Sequence, residues 1–131
     1  MSRAQEDAIR NVIERWNAGE REIDPDFTDP DAEVHSAMTG ATYRGFGGIK
    51  EWMAEIDEQF DSWQISLEEF EEIGEDRVLG VGSVHFRGRG SGVEFDQPLG
   101  WIFSFSGVRM TEMRIFGAPD AARAAAASSS S

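Results

Sequence analysis

Four polar side chains stand among apolar neighbours where they could meet a ligand: His35, His85, Gln97 and Arg114. An imidazole titrates near neutral pH, so His35 and His85 are candidate general acids or bases toward an acidic C–H. His35 lies in a weakly alternating stretch, 32–38. Ala32, Val34, Ser36 and Met38 hold one face there and Glu33 and His35 the other, so His35 reaches a ligand only if a bulge turns it inward. His85 shares its phase with Ser83 and Arg87, against Val78, Val84 and Phe86, with Gly80 and Gly82 leaving room for a ligand or for close packing. Gln97 is the lone polar group in the phase of Val93, Phe95, Leu99, Trp101, Phe103 and Phe105. A buried amide must find partners, so it is either a ligand anchor or a rim residue. Arg114 shares phase with Met110, Glu112 and Phe116. In a pocket it would grip a carboxylate or enolate oxygen with two N–H groups; otherwise it pairs with an acid such as Glu112. Cysteine is absent, which excludes thiolate nucleophiles, disulfides and thiolate metal sites. No His/Asp/Glu set has metal-ligand spacing, and the Arg87-Gly88-Arg89-Gly90 run lacks the helix and lysine of a phosphate loop. The expected chemistry is therefore acid–base work without metal or cofactor.

Positioning such groups takes particular elements. Ser2-x-x-Gln5 has the form of a capping box. Ile9, Val12, Ile13 and Trp16 follow as one apolar helical stripe, which Asn17-Ala18-Gly19 ends. Asp24-Pro25-Asp26 and Asp29-Pro30-Asp31 flank the single apolar Phe27, which a short helical turn would point inward. A short strand over 32–38 and a loop over 40–48 come next. The second helix carries Ile49, Trp52, Met53, Ile56 and Phe60 on its apolar side, with Lys50, Glu51, Glu55, Asp57 and Glu58 outward. Past Asp61 the period becomes two. Trp63, Ile65 and Leu67 share a face, and the phase slips at Glu68-Glu69, the mark of a bulge. Strands over 77–89, 93–105 and 108–116 follow, joined by a glycine-rich loop at 88–92 and a tight turn at Ser106-Gly107. Helices first and an antiparallel meander after argue an α+β fold. Two helices cannot cover both faces of such a sheet, so a twisted sheet curling around them to enclose a pocket is expected. Residues 1–118 read as one domain, and the Ala/Ser-rich 119–131 as a frayed tail outside its core.

Taken in order, Asp29-Pro30-Asp31-Ala32-Glu33-Val34-His35, Tyr43-Arg44-Gly45, Arg87-Gly88-Arg89-Gly90-Ser91-Gly92-Val93 and the closing Arg114-Ile115-Phe116 resemble the SnoaL-like, polyketide cyclase-like branch of the nuclear transport factor 2-like superfamily. The resemblance implies a cone: a curved antiparallel sheet around helices, with an apolar cavity open at one end. It also implies cyclase, isomerase, hydratase or hydrolase relatives, or non-catalytic binding and dimerisation modules. The catalytic pattern of ketosteroid isomerases does not carry over. Its Tyr, Asp and Asp positions fall here on Val12, Ser36 and Gly100, and the His common in SnoaL-like relatives falls on Trp101, none able to shuttle a proton. The pocket wall is assigned to Trp16, Phe27, Ser36, Trp52, Ile56, Phe60, Gln97, Gly100, Trp101 and Phe116. In strand 93–105 the apolar count favours the odd phase and the match of Gly100 favours the even one. The reading adopted is the even phase inward, with Trp101 toward a dimer face. The ligand is expected to be a small apolar molecule, carbonyl-bearing or polycyclic.

The chain carries 25 acidic and 12 basic residues, a net charge of −13. Such a charge repels phosphate backbones and anionic lipid, which argues against nucleic acid or a membrane as partner. No apolar run approaches the roughly 20 residues of a membrane span. The polar, acidic start has no leader-like apolar segment, so a cytoplasmic setting is expected. An apolar outer sheet face would be covered by a second copy, a homodimer. Salt relieves self-repulsion over about 8 Å at 0.15 M. The melting temperature is therefore expected to rise with added NaCl; a flat or falling value from low to high salt refutes repulsion as a limit on stability.

Overall fold

The computed structural model describes residues 2–129. The elements are α1 (Ser2–Asn17), β1 (Thr28–Ser36), β2 (Ala41–Arg44), α2 (Gly45–Gln59), β3 (Phe60–Ile73), β4 (Arg77–Gly88), β5 (Glu94–Ser106), β6 (Arg109–Phe116) and α3 (Pro119–Ser129). The strands form one sheet in the order β2-β1-β6-β5-β4-β3. Every neighbouring pair is antiparallel except β1 and β6, which run parallel. No helix among the described residues is long and apolar enough to cross a membrane.

α1 buries the expected stripe: Ile9, Val12, Ile13 and Trp16 are all buried. It ends in a Schellman motif. The Glu20 N–H bonds the Arg15 carbonyl at 3.0 Å and the Gly19 N–H the Trp16 carbonyl at 2.9 Å. Gly19 supplies the positive φ, 92°, which such a cap needs. Asn17 then ties the helix end to β3, since its side-chain amide donates to the Ile65 carbonyl at 2.9 Å and accepts from the Ile65 N–H at 2.8 Å. Gln5, read as half of a capping box, is buried, and its amide donates to the Gly107 carbonyl at 3.0 Å. The Ser2 side chain of that reading lies outside the described residues.

The sheet sorts its apolar residues to two faces. Against α1 and α2 lie Val34, Trp63, Ile65, Val84, Phe86, Leu99, Trp101, Phe103 and Ile115. Trp16, Trp52 and Trp63 meet at the centre with ring centroids 5.8–6.4 Å apart. Burying one such ring is worth about 1.5–3 kcal/mol. Phe27 is buried as expected, edge-on to Phe105 at 6.1 Å. On the opposite face Ile73, Leu79, Val81 and Ile102 pack with Ala122 and Ala126 of α3.

Four features differ from the sequence reading. The loop over 40–48 contains strand β2, paired with β1 from Ser36↔Ala41 to Glu33↔Arg44. β1 ends at Ser36, so Met38 is half exposed in the turn that follows. The stretch read as a frayed tail is α3, and Ala122 is wholly buried. Finally, the odd phase of β5 faces the helices. A Cβ on Gly100 would stand 2.3 Å from Ala122 Cβ, so Gly100 faces α3 and not the interior. The β3 bulge is where the phase slip put it: the register against β4 shifts between Leu67 and Glu69. The ground for a dimer, an open apolar outer face, is met within the chain by α3. The rest of that face presents polar and charged groups, among them Glu33, His35, His85 and Glu112.

Candidate functional site

Between α2 and the inner sheet face lies a pocket of about 120 Å³. Its walls come from the helical spacing of α2 and from inward strand phases. α2 contributes Trp52, Glu55, Ile56 and Gln59; β3 contributes Phe60, Trp63 and Ile65; β4 contributes Val84 and Phe86. Leu99 and Trp101 of β5, Ile115 of β6, Ser36 of β1 and the turn residues Met38 and Thr39 complete it. Beside it the Phe60 and Phe86 rings pack 4.4 Å apart, and the exposed Phe95 stacks on Phe86 at 5.3 Å.

Among the described residues Glu55 is the one charged side chain in the lining. The buried Tyr43 stands behind it: its hydroxyl donates to Glu55 Oε1 at 2.8 Å and lies 3.1 Å from Thr39 Oγ1. Burial first, and the neighbouring Glu55 carboxylate second, push the Tyr43 hydroxyl above its ordinary value, so it serves as a proton donor in a hydrogen bond and not as a base. Sequence reasoning had placed Glu55 on the outward face of α2. The missed signal is its i, i+3 spacing from Trp52, which brings the two to one side of the helix.

The three indoles that form the lining differ in one respect. Trp63 Nε1 donates to Asp57 Oδ1 at 2.8 Å, outside the pocket. Asp57 also accepts two bonds from Arg21, each 3.1 Å, and the Arg21 guanidinium lies 4.4 Å over the Trp63 ring. Burial alone would raise the Asp57 carboxyl; the bonds from Arg21 and Trp63 outweigh it and hold Asp57 below the usual carboxylate range. Trp52 and Trp101 have no such partner among the described residues.

None of the three residues singled out for acid–base or oxyanion roles lines the pocket. His35 Nε2 lies 3.0 Å from Glu33 and 3.3 Å from Glu112, and its Nδ1 3.1 Å from Thr42 Oγ1, on the outer face. No bulge turns it inward, because β1 keeps its alternation from Ala32 to Ser36. Glu33 is also paired with Arg44, whose hydrogen bond chiefly holds its carboxyl below the ordinary value. His85 is bracketed by Asp96 and Glu94, each 2.8 Å away. Arg114 lies 5.0 Å over Phe116, and both face outward with Ile102. Of the expected wall, Ser36, Trp52, Ile56, Phe60 and Trp101 line the pocket. Trp16 stands behind Trp52, Phe27 packs elsewhere, Gly100 and Phe116 face outward, and Gln97 donates to the carbonyl of Pro98 at 3.1 Å.

The His85 cluster gives a pH marker remote from the pocket. The hydrogen bonds its ring donates to Glu94 and then to Asp96 raise its pKa above the ordinary histidine value. A raised group stabilises the fold below its unfolded pKa, about 6.5, and loses that contribution as pH rises through the folded value. Imidazole NMR titration is expected to place His85 above a free histidine, and Glu94→Gln with Asp96→Asn to bring it back down. An unshifted His85 in the parent protein contradicts this.

No family model matches the chain, and no curated protein matches it. Solved structures do. TerC, co-crystallised with polyporic acid, superposes with a TM-score of 0.78 at 20% identity, covering 95% of this chain and 98% of that one. A putative SnoaL-like polyketide cyclase from Jannaschia sp. CCS1 gives 0.75 at 19% identity, covering 86% and 84%. A ketosteroid isomerase-like hypothetical protein from Catenulispora acidiphila DSM 44928, in complex with trimethylamine, gives 0.68 at 18% identity, covering 82% and 85%. At such identities the likeness is one of fold: the chain has the α+β cone shared by SnoaL-like and other nuclear transport factor 2-like proteins.

Proposed function

We propose that this chain binds a small, largely apolar molecule of about one ring in the pocket under α2. The observation that carries the reading is the lining itself: three indoles and two phenyl rings around one carboxylate, in about 120 Å³. A dry cavity of roughly 150 Å³ accepts benzene, whereas pockets for drug-sized ligands run roughly 300–1,000 Å³. The volume thus favours a single ring over a polycycle. TerC with polyporic acid and the Catenulispora acidiphila protein with trimethylamine support small-molecule binding by this fold. Ligand-observed NMR with toluene and acetophenone tests the reading. Saturable binding is expected, and it is lost in Ile115→Trp, which fills the pocket from β6. Absence of binding by both probes sinks the proposal.

One observation favours a catalytic second reading: Tyr43 donates to Glu55 at the pocket. Glu55 is there the group that takes a proton from a bound carbon acid, with Tyr43 holding the carboxylate in place. Deuterium uptake at the methyl carbon of acetophenone, catalysed by the parent protein and abolished in Glu55→Gln, is the expected sign. Equal rates in both proteins leave binding alone.

A further inference from the structure

The single carboxylate and aromatic walls, in a chain of net charge −13, would suit an organic cation. Two buried donors say otherwise. Trp52 and Trp101 are 4% and 3% exposed, and neither Nε1 has a hydrogen-bond partner among the described residues. Yet no buried side-chain nitrogen there is left orphaned. Neither Nε1 is therefore sealed in the core, and both residues line the pocket. A buried indole N–H normally finds a partner, as Trp63 does on Asp57. The two that do not are donors awaiting an acceptor, and their partially positive hydrogens repel an ammonium group. We infer that Trp52 and Trp101 are the specificity-determining donors of this site, and that its ligand is a ring-sized molecule bearing a hydrogen-bond acceptor oxygen and no cationic group. The inference rests on the pocket reading above and names the ligand class for it.

The test uses three ring-sized probes on the full chain by ligand-observed NMR: acetophenone (acceptor), toluene (neither) and benzylamine (ammonium). A net hydrogen bond of about 0.5–1.5 kcal/mol corresponds to about two- to twelvefold in affinity. Acetophenone is expected to bind several-fold tighter than toluene, and benzylamine weakest. Trp52→Phe and Trp101→Phe keep a ring and remove the N–H. Each is expected to lower the ratio of acetophenone to toluene affinity about two- to tenfold. Benzylamine binding tightest, or an acetophenone-to-toluene ratio that both Phe variants leave intact, overturns the inference while the pocket reading stands. Failure of both toluene and acetophenone to bind overturns the two together. If a Phe variant does not fold, the ranking of the three probes on the parent protein still decides.

Discussion

Adding one methyl group at Gly82 is expected to cost about 3 kcal/mol or more, the largest effect of any single small substitution proposed for this chain. Gly82 lies in β4 opposite Leu67, at the point where β3 bulges. A Cβ there would stand 1.9 Å from the Ser66 carbonyl oxygen and 2.9 Å from both Leu67 Cα and the Ser66 carbonyl carbon. These are backbone atoms, so no rotamer change relieves them; the two strands must separate or the bulge must move. Ordinary overpacking costs about 1–3 kcal/mol, and here a sheet ladder is disturbed as well. For a chain of 131 residues this corresponds to a fall in melting temperature of roughly 10 °C or more. Gly80→Ala is the contrast. Its nearest atoms, Phe103 Cε2 at 3.4 Å and Leu67 Cδ2 at 3.5 Å, belong to side chains at ordinary contact distance. A calorimetric scan in which Gly82→Ala melts within 3 °C of the parent protein would show that the bulge yields.

How far the sequence carries depends on the range of the interaction that decides each element. The stripe of α1, the aromatic run of α2 and the slip at Glu68-Glu69 are local periodicities, and each reappears in the structure. β2 is four residues, Ala-Thr-Tyr-Arg, too short to show a period, and it exists because β1 offers it an edge. The parallel pairing of β1 with β6 joins residues some 80 apart in sequence and leaves no local trace. α3 is alanine-rich, interrupted by Arg123 and followed by serines. Its composition reads as low complexity, yet alanine has the highest helix propensity and is small enough to lie against a glycine.

The candidate site was legible in its walls and illegible in its polar groups. Trp52, Ile56 and Phe60 follow from helical spacing and Trp101 from strand alternation. His35, His85 and Arg114 attracted notice because histidine and arginine do chemistry, but the outer phase of a solvated sheet is where charged residues cost least. Each is satisfied there by a neighbour: Glu33 and Glu112, Glu94 and Asp96, the Phe116 ring. Glu55 escaped notice because it sits between acidic neighbours on α2, and only the position of Tyr43 distinguishes it. The unpaired indole nitrogens cannot be read from sequence at all, since they are defined by what is missing around them.

The phase of β5 is the point on which sequence reasoning failed, and it leads to the second large effect. With the even phase inward, Gly100→Phe would fill the cavity. With the odd phase inward, as found, the new side chain meets α3 instead: its Cβ alone stands 2.3 Å from Ala122 Cβ and 3.5 Å from Pro119 Cα. A phenyl ring cannot share that space with a helix laid flat on the strand, so Gly100→Phe is expected to lift α3 off the sheet. Leu79, Val81, Ile73 and Ile102 then lose their cover, and about 2–3 kcal/mol of stability goes with it. Trypsin should cut rapidly after Arg123, which in the parent chain is held by Glu69 at 2.6 Å. The bared apolar face should drive self-association at micromolar concentration, and deletion of residues 119–131 should reproduce that self-association. Acetophenone binding should persist, because the pocket lies on the other side of the sheet. Loss of that binding with α3 still protected from trypsin would return Gly100 to the interior.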